Sequence, residues 1–330
     1  MFTTRLALER KLQKFRVKRT AERNSKQITD RSIASIVTSF IFKMSILVFF
    51  GILLVFPFVL LISVALHADY TNVDSQGLTV AQVFDNAFNW NSFEQAFSSG
   101  YWFAAFYSAV SVVASIVFKL IVTTLLAYAF SFPRWRGKRQ TWLFLLSLLI
   151  LPESALLTGQ LLVINSLELN GSTIGLVTAL VLPYVASTFH AFMLKNSFEM
   201  IPDSLKLVAK IDGFSGVKFF FKIALPMVSP TTWTIIILTT LASWNSFLWP
   251  SIILSGQAAD LKNSLKYVEV ISLWTIQSGQ VDRGDGVLDT LLNVRLAAAL
   301  LAIAPIFILY FVFRKKIMNA ISRQGRAIKG

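Results

Sequence analysis

The chain of 330 residues is 55% apolar and 15% charged, holds 29 phenylalanines and has a mean hydropathy of +0.63, which lies outside the range of a soluble domain and reads as a membrane protein. It has no cysteine, which excludes disulfides, thiolate catalysis and cysteine-ligated metals together, and with only His67 and His190 an imidazole metal site is not expected. The net charge of +14 suits a nucleic-acid partner or a membrane protein that gathers Lys and Arg on one side, so the position of the charges decides between them.

Met1–Arg31 holds ten basic residues against Glu9, Glu22 and Asp30, and is too polar and too long for the first region of a signal peptide. Two readings stand: an amphipathic helix on anionic lipid, using Leu6, Leu8, Leu12 and Phe15, or a disordered basic tail that fixes topology. Six apolar segments follow, near Met44–Leu66, Phe103–Phe130, Trp142–Ile164, Ile174–Leu194, Thr231–Leu254 and Val294–Phe313, each matching the roughly 20 residues that cross a bilayer core. Pro57, Pro152, Pro183, Pro250 and Pro305 lie in or at the ends of these runs, where neighbouring membrane helices can re-satisfy the backbone.

The stretches Met1–Arg31, Ser131–Gln140, Lys195–Pro230 and Arg314–Gly330 carry 25 of the 31 basic residues, whereas the intervening loops 67–100, 165–172 and 255–292 carry only Lys262, Lys266 and Arg283. The positive-inside rule then puts both termini and the Lys195–Pro230 loop in the cytoplasm and removes the need for a nucleic-acid partner. The expected fold is an all-α integral membrane protein of six transmembrane helices with both termini cytoplasmic. It divides into a basic extension over 1–32, a transmembrane domain over 33–321 with a cytoplasmic coupling-helix loop at 195–230, and a tail over 322–330.

Within that loop, Ile201–Pro226 reads as a short helix between turns. Pro202 suits a first helical position, Asp203 a first turn, and Asp212-Gly213 a turn of positive φ after Ile211. Asp203, Lys206 and Lys210 share one stripe, and Leu205, Leu207, Val208, Ala209 and Ile211 cover the remaining circumference. Such a helix outside the bilayer needs its apolar surface covered, by its own membrane domain or by another protein.

The order I-P-x-x-L, A-x-I-D-G, F-F-x-I-x-L-P across Ile201–Pro226 resembles the cytoplasmic coupling loop of the permease subunits of bacterial ABC importers. S-W-N-S-F-L-W-P at Ser243–Pro250 and the final Ala327-Ile328-Lys329-Gly330 resemble the carbohydrate-uptake branch, of the maltose and glycerol-3-phosphate type. The chain departs from the family where the glutamate that opens the E-A-A triplet aligns with Leu207, and the following alanine with Val208. The resemblance implies a non-catalytic subunit that pairs with a homologous second permease, a cytoplasmic ATPase dimer and an extracytoplasmic substrate-binding (lipo)protein in membrane lipid. It implies ATP and Mg bound by the partner ATPase, consistent with the absence of a G-x-x-x-x-G-K-[ST] loop from this sequence. Leu205, Leu207, Val208 and Ala209 are then expected to touch the ATPase, and Asp212 and Gly213 to set the helix angle.

Polar groups inside the apolar segments are costly and therefore informative. Trp244 and Asn245 fall on the fifth segment, which the resemblance puts at the translocation path, and Asn245 could bond a substrate hydroxyl or another helix. Trp249 reads as an interfacial anchor. Arg295 at the outer end of the sixth segment either snorkels to the headgroups or attracts an anionic substrate. Lys119 and Glu153 sit at matching depth, roughly 16 Å from the cytoplasmic ends of the second and third segments, which makes an ion pair between them or a place on the pathway the two readings. A secondary transporter or channel working without an ATPase is the alternative function; it would favour two related halves and midplane ionisable groups.

Overall fold

A computed structural model describes residues 33–67, 89–133, 135–255, 267–282 and 288–327. The basic extension and the last three residues, with the expectations attached to them, lie outside the described residues, as does the side chain of Glu153. The chain divides into two compact units, Met1–Leu60 and Leu61–Gly330. In the first, the described residues belong to α1 (Ile33–Ala65), apolar on every side: Phe40, Phe42, Leu47, Phe49 and Leu54 are each more than 60% exposed, as suits a helix surrounded by lipid.

The second unit is arranged around α3 (Tyr101–Ser131), preceded by the short α2 (Asn91–Ser98). Its buried face repeats every three or four residues, through Ala104, Ser108, Ser111, Ser115, Lys119, Thr123 and Ala127. Most are small, and small side chains let helices approach closely where lipid removes the hydrophobic drive for association. Packed on α3 are α6 (Thr173–Val181), α7 (Thr188–Glu199), α10 (Ser229–Trp244) and α12 (Ile271–Gln277).

Among the described residues three helices are long and apolar enough to cross a bilayer, Ser35–Ala65, Tyr101–Ser131 and Leu292–Arg314, and there are up to six spans if each of three bent pairs counts as one. The segment expected at Trp142–Ile164 is α4 (Lys138–Ser147) and α5 (Glu153–Ser166), bent by 104°. Pro152 is held at ψ 138° and leads the chain out of α4 before α5 starts. After Tyr184 the chain bends by 55° into α7, whose first turn is capped by the Ser187 hydroxyl accepting from the His190 amide.

The expected fifth segment, Thr231–Leu254, is not one helix. Between the loop helix α8 (Asp203–Ile211) and α10 lies α9 (Val217–Met227), which contains a π-helical stretch and meets α10 at 70°. α10 ends at Trp244, and α11 (Leu248–Leu254) follows as a separate turn. The described residues are mostly helical, as expected, with one short hairpin added. Strands β1 (Gln280–Asp282) and β2 (Leu288–Thr290) form an antiparallel hairpin with Gln280 opposite Thr290, just before the long α13 (Leu292–Ala327).

Candidate functional site

The helix read from the sequence is present, and its ends explain themselves. Pro202 stands one position earlier than expected, as the extended residue before α8, and Asp203 opens the first turn. At the other end the Phe214 amide bonds the Ala209 carbonyl (2.8 Å) and the Gly213 amide bonds that of Lys210 (3.2 Å). That pair of bonds is a Schellman motif, and it requires the left-handed φ of +75° that Gly213 adopts. Asp212 is the C-cap, as its place before the glycine suggested.

The face that α8 turns outward differs from expectation in one residue. Ala209, expected on the docking face, is 3% exposed and packs in a cluster with Leu194, Phe198, Phe219 and Phe220 of its own domain. Leu207, Val208 and Ile211 are 63%, 56% and 84% exposed, and Leu205 lies at the margin with 36%. At about 100° per residue these three and Ser204 occupy roughly 100° of circumference, opposite Ala209. Ile211 therefore replaces Ala209 in the outward set. The signal that could have found it was its place four residues after Leu207 on the same face.

Lys206 Nζ bonds Asp203 (2.8 Å) and lies 5.2 Å from the centre of the Phe132 ring at the end of α3. The hydrogen bond from Lys206 and then its charge hold the Asp203 carboxyl below the usual carboxylate range. Phe132 continues into an aromatic cluster: it meets Phe219 edge-on at 5.4 Å and Phe198 at 5.7 Å, while Tyr128 meets Phe220 at 4.8 Å. Each such pair contributes about 0.5–1.5 kcal/mol beyond its buried area, so the ends of α3, α7 and α9 are tied to one another, and α8 meets this cluster through Ala209 and Lys206.

A second feature is polar and buried. Along α3, Ser108, Ser111, Ser115, Lys119 and Thr123 form one stripe, and Thr239 lies buried on α10. Ser108 accepts from the Ile271 amide (2.7 Å), and Thr123 donates to the Lys119 carbonyl (2.6 Å). The buried hydroxyls of Ser111, Ser115 and Thr239 have no hydrogen-bond partner among the described residues. Ser108 and Ser111 open into a narrow cleft lined also by Tyr184, Ser243, Trp244, Ser246 and Ser272, with about 10 Å³ of room, enough for a single water. The sequence carried this seam as hydroxyls at helical spacing in an apolar segment, a pattern that the attention to charged residues missed.

Of the residues expected at the pathway, Trp244 stands in this cleft and donates to the Ala302 carbonyl (3.1 Å). Asn245 is exposed at the end of α10, and its amide donates back to Leu241 of the same helix (2.9 Å). Lys119 is 4% exposed, with Nζ 5.6 Å from the centre of the Tyr184 ring. Arg295 does not line the cleft; it is half-buried, and its Nη2 donates to Thr290 at the hairpin (3.3 Å). Trp249 is no interfacial anchor, being 4% exposed and donating to the Ala179 carbonyl (3.0 Å).

No protein-family model matches the chain. A protein of Mycoplasma genitalium named as a probable ABC transporter permease is 41% identical over 304 residues, 91% of this chain and 92% of that protein. The chain belongs to the ABC transporter permeases. The sn-glycerol-3-phosphate transport system permease of Pectobacterium atrosepticum is 30% identical over 60% of this chain and 64% of its own length. Among solved structures, a bacterial ABC transporter involved in the import of the acidic polysaccharide alginate superposes with a TM-score of 0.67 over 86% of this chain and 98% of that one. At 20% identity that likeness speaks for the fold. This permease is thus a multi-pass membrane subunit of an ABC transporter, and α8 occupies the loop whose motif first suggested the family. Leu207, which stands where the family motif has its glutamate, is on the outward face of α8.

Proposed function

We propose that this permease pairs with a homologous second permease and couples ATP hydrolysis by a cytoplasmic ATPase dimer to the import of a hydroxyl-rich substrate, a sugar, polyol or glycerol phosphate. The observation that carries this reading is the outward apolar face of α8, Leu207, Val208 and Ile211, on a helix whose opposite side, at Ala209, packs into its own domain. An apolar face backed by its own domain is what a docking helix needs. With Leu207 in place of a glutamate, the contact is dry and lacks a charge-assisted hydrogen bond to the ATPase.

The three bent pairs and three straight helices make six spans, with both termini and the Lys195–Pro230 loop in the cytoplasm on the charge distribution. Residues 1–32 form a basic cytoplasmic extension, 33–321 the transmembrane domain and 322–330 the tail. ATP and Mg are bound by the ATPase; this subunit is non-catalytic, and an extracytoplasmic binding protein delivers substrate. The substrate class rests on the α3 seam. Hydroxyls buried without partners cost free energy, and a path that opens between α3 and α10 would satisfy them with substrate hydroxyls. Lys119, buried on the same stripe of α3, would stand beside that path, and Glu153 is assigned to it on the sequence depth alone. Co-purification from the native membrane tests the whole reading: the permease should carry a stoichiometric ATPase, and its isolation alone, with full uptake activity, would refute it.

A further inference from the structure

The end of α3 that meets the coupling loop also builds a second site. Between the C-terminus of α3, the first turn of α4 and the last turn of α7 lies a cavity of about 500 Å³. Its floor is aromatic, with Phe130 5.3 Å from Trp135 and 5.0 Å from Trp142 between ring centres. Its walls carry Lys138, Arg139 and Lys195 against the single carboxylate of Glu199. Lys195 is 14% exposed, bonded to Glu199 (2.6 Å) and 5.2 Å from the centre of the Trp142 ring. Lys138 donates to the carbonyls of Ser131 (3.0 Å) and Pro133 (3.1 Å), which pins its ammonium at the rim. Arg139 is exposed and makes no ion pair among the described residues.

Three cations to one anion around a cavity select an anionic ligand, and the surroundings say which kind. The cavity is far larger than a free phosphate needs. It stands at the end of an apolar spanning helix, and directly beyond its rim α4 exposes Leu143 and Phe144, at 56% and 64%. Charge at the rim with apolar surface running away from it fits an amphiphile. We propose that this cavity binds the phosphate headgroup of an anionic phospholipid, with Arg139 and Lys138 on the phosphate and the acyl chains along Leu143 and Phe144. The inference depends on the proposed function only for assigning the site to the cytoplasmic leaflet. A lipid held here braces the junction of α3 and α7, where Ser131 Oγ donates to the Lys195 carbonyl (3.3 Å), beside the Phe132 ring that receives Lys206.

The test uses the full-length permease in detergent, with lipid retention read by native mass spectrometry and thermal unfolding read alongside. Added phosphatidylglycerol should be retained and raise the midpoint, while phosphatidylcholine should do neither. Arg139→Gln should weaken phosphatidylglycerol binding about five-fold, and Arg139→Gln with Lys138→Gln about 25-fold. Arg136→Gln removes an equal charge from an exposed residue that does not line the cavity and should change nothing. The proposal falls if phosphatidylcholine binds as well as phosphatidylglycerol, if Arg136→Gln weakens binding as much as Arg139→Gln, or if inorganic phosphate stabilises as much as the lipid. ATPase co-purification with the Arg139 variant is measured in parallel, so that failure of lipid binding and failure of the importer reading are told apart.

Discussion

Replacing Leu207 by arginine should disconnect this permease from its ATPase while leaving its own fold intact. Leu207 is 63% exposed, so about two thirds of its side chain remains to be buried on docking. Complete burial of a leucine contributes about 1.5–3 kcal/mol, so the docked increment is about 1–2 kcal/mol, or roughly 5- to 30-fold in affinity. Leu207→Ala should lose about that much. Leu207→Arg loses the same contact and also forces a guanidinium into a dry interface, where an unpaired charge costs several kcal/mol more. Ala209→Leu is the contrasting variant, because that residue is buried in its own domain, and overpacking there should cost about 1–3 kcal/mol of stability. The assays are co-purification of the ATPase, the thermal midpoint of the permease alone, and substrate uptake with ATP hydrolysis in proteoliposomes. Leu207→Arg should show an unchanged midpoint with loss of the first and last. Retained assembly with normal uptake would refute the docking face.

Gly213→Ala places a Cβ at φ +75°, and the strain of about 1–2 kcal/mol should lower both the melting temperature and the number of substrates moved per ATP, with Gly213→Asn recovering part of each. Ser111→Ala and Ser115→Ala remove buried hydroxyls that have no partner, so each should leave the protein as stable or more stable while lowering uptake of a hydroxylated substrate; a loss of stability with unchanged uptake would give them a packing role instead. If Lys119 and Glu153 pair, Lys119→Met alone should lose more membrane assembly than Lys119→Met combined with Glu153→Gln, since the single change would leave one charge in the membrane interior without its counterpart; a double variant no better than the worse single one rules out the pairing.

How much of this was legible beforehand depended on whether the cause was local. The bounds of α8 follow from Pro202, Asp203 and Asp212-Gly213 and agree with the sequence to within one residue, because caps and turns act within a few residues. Which side of α8 faces out was not local: Ala209 is buried by Phe198 and Phe219, residues that sequence spacing does not bring to it. The breaks in the spans were hidden for a related reason. Proline in an apolar run is compatible with a straight, kinked or divided membrane helix, so Pro152 alone could not announce a bend of 104°. The end of α10 at Asn245 depends on a side chain that caps its own helix, a role the sequence could not separate from a substrate contact. Trp249 looked like an anchor until the fold brought its indole to Ala179.

On the proposed docking, α8 can transmit a push only through what ties it to its own domain. Ala209 is buried among phenylalanines, Lys206 lies over Phe132, and Gly213 closes the turn with two hydrogen bonds. A push on Leu207, Val208 and Ile211 would leave α8 through Ala209 and Lys206. It passes to Tyr128 and Phe132 on α3, and through Phe219 and Phe220 along α9 to the 70° junction with α10. Those two receiving helices, α3 and α10, also carry the unpartnered hydroxyls of Ser111, Ser115 and Thr239. Separating them would relieve the cost of the buried hydroxyls at the moment a path for substrate opens, so the coupling face and the polar seam act on one pair of helices.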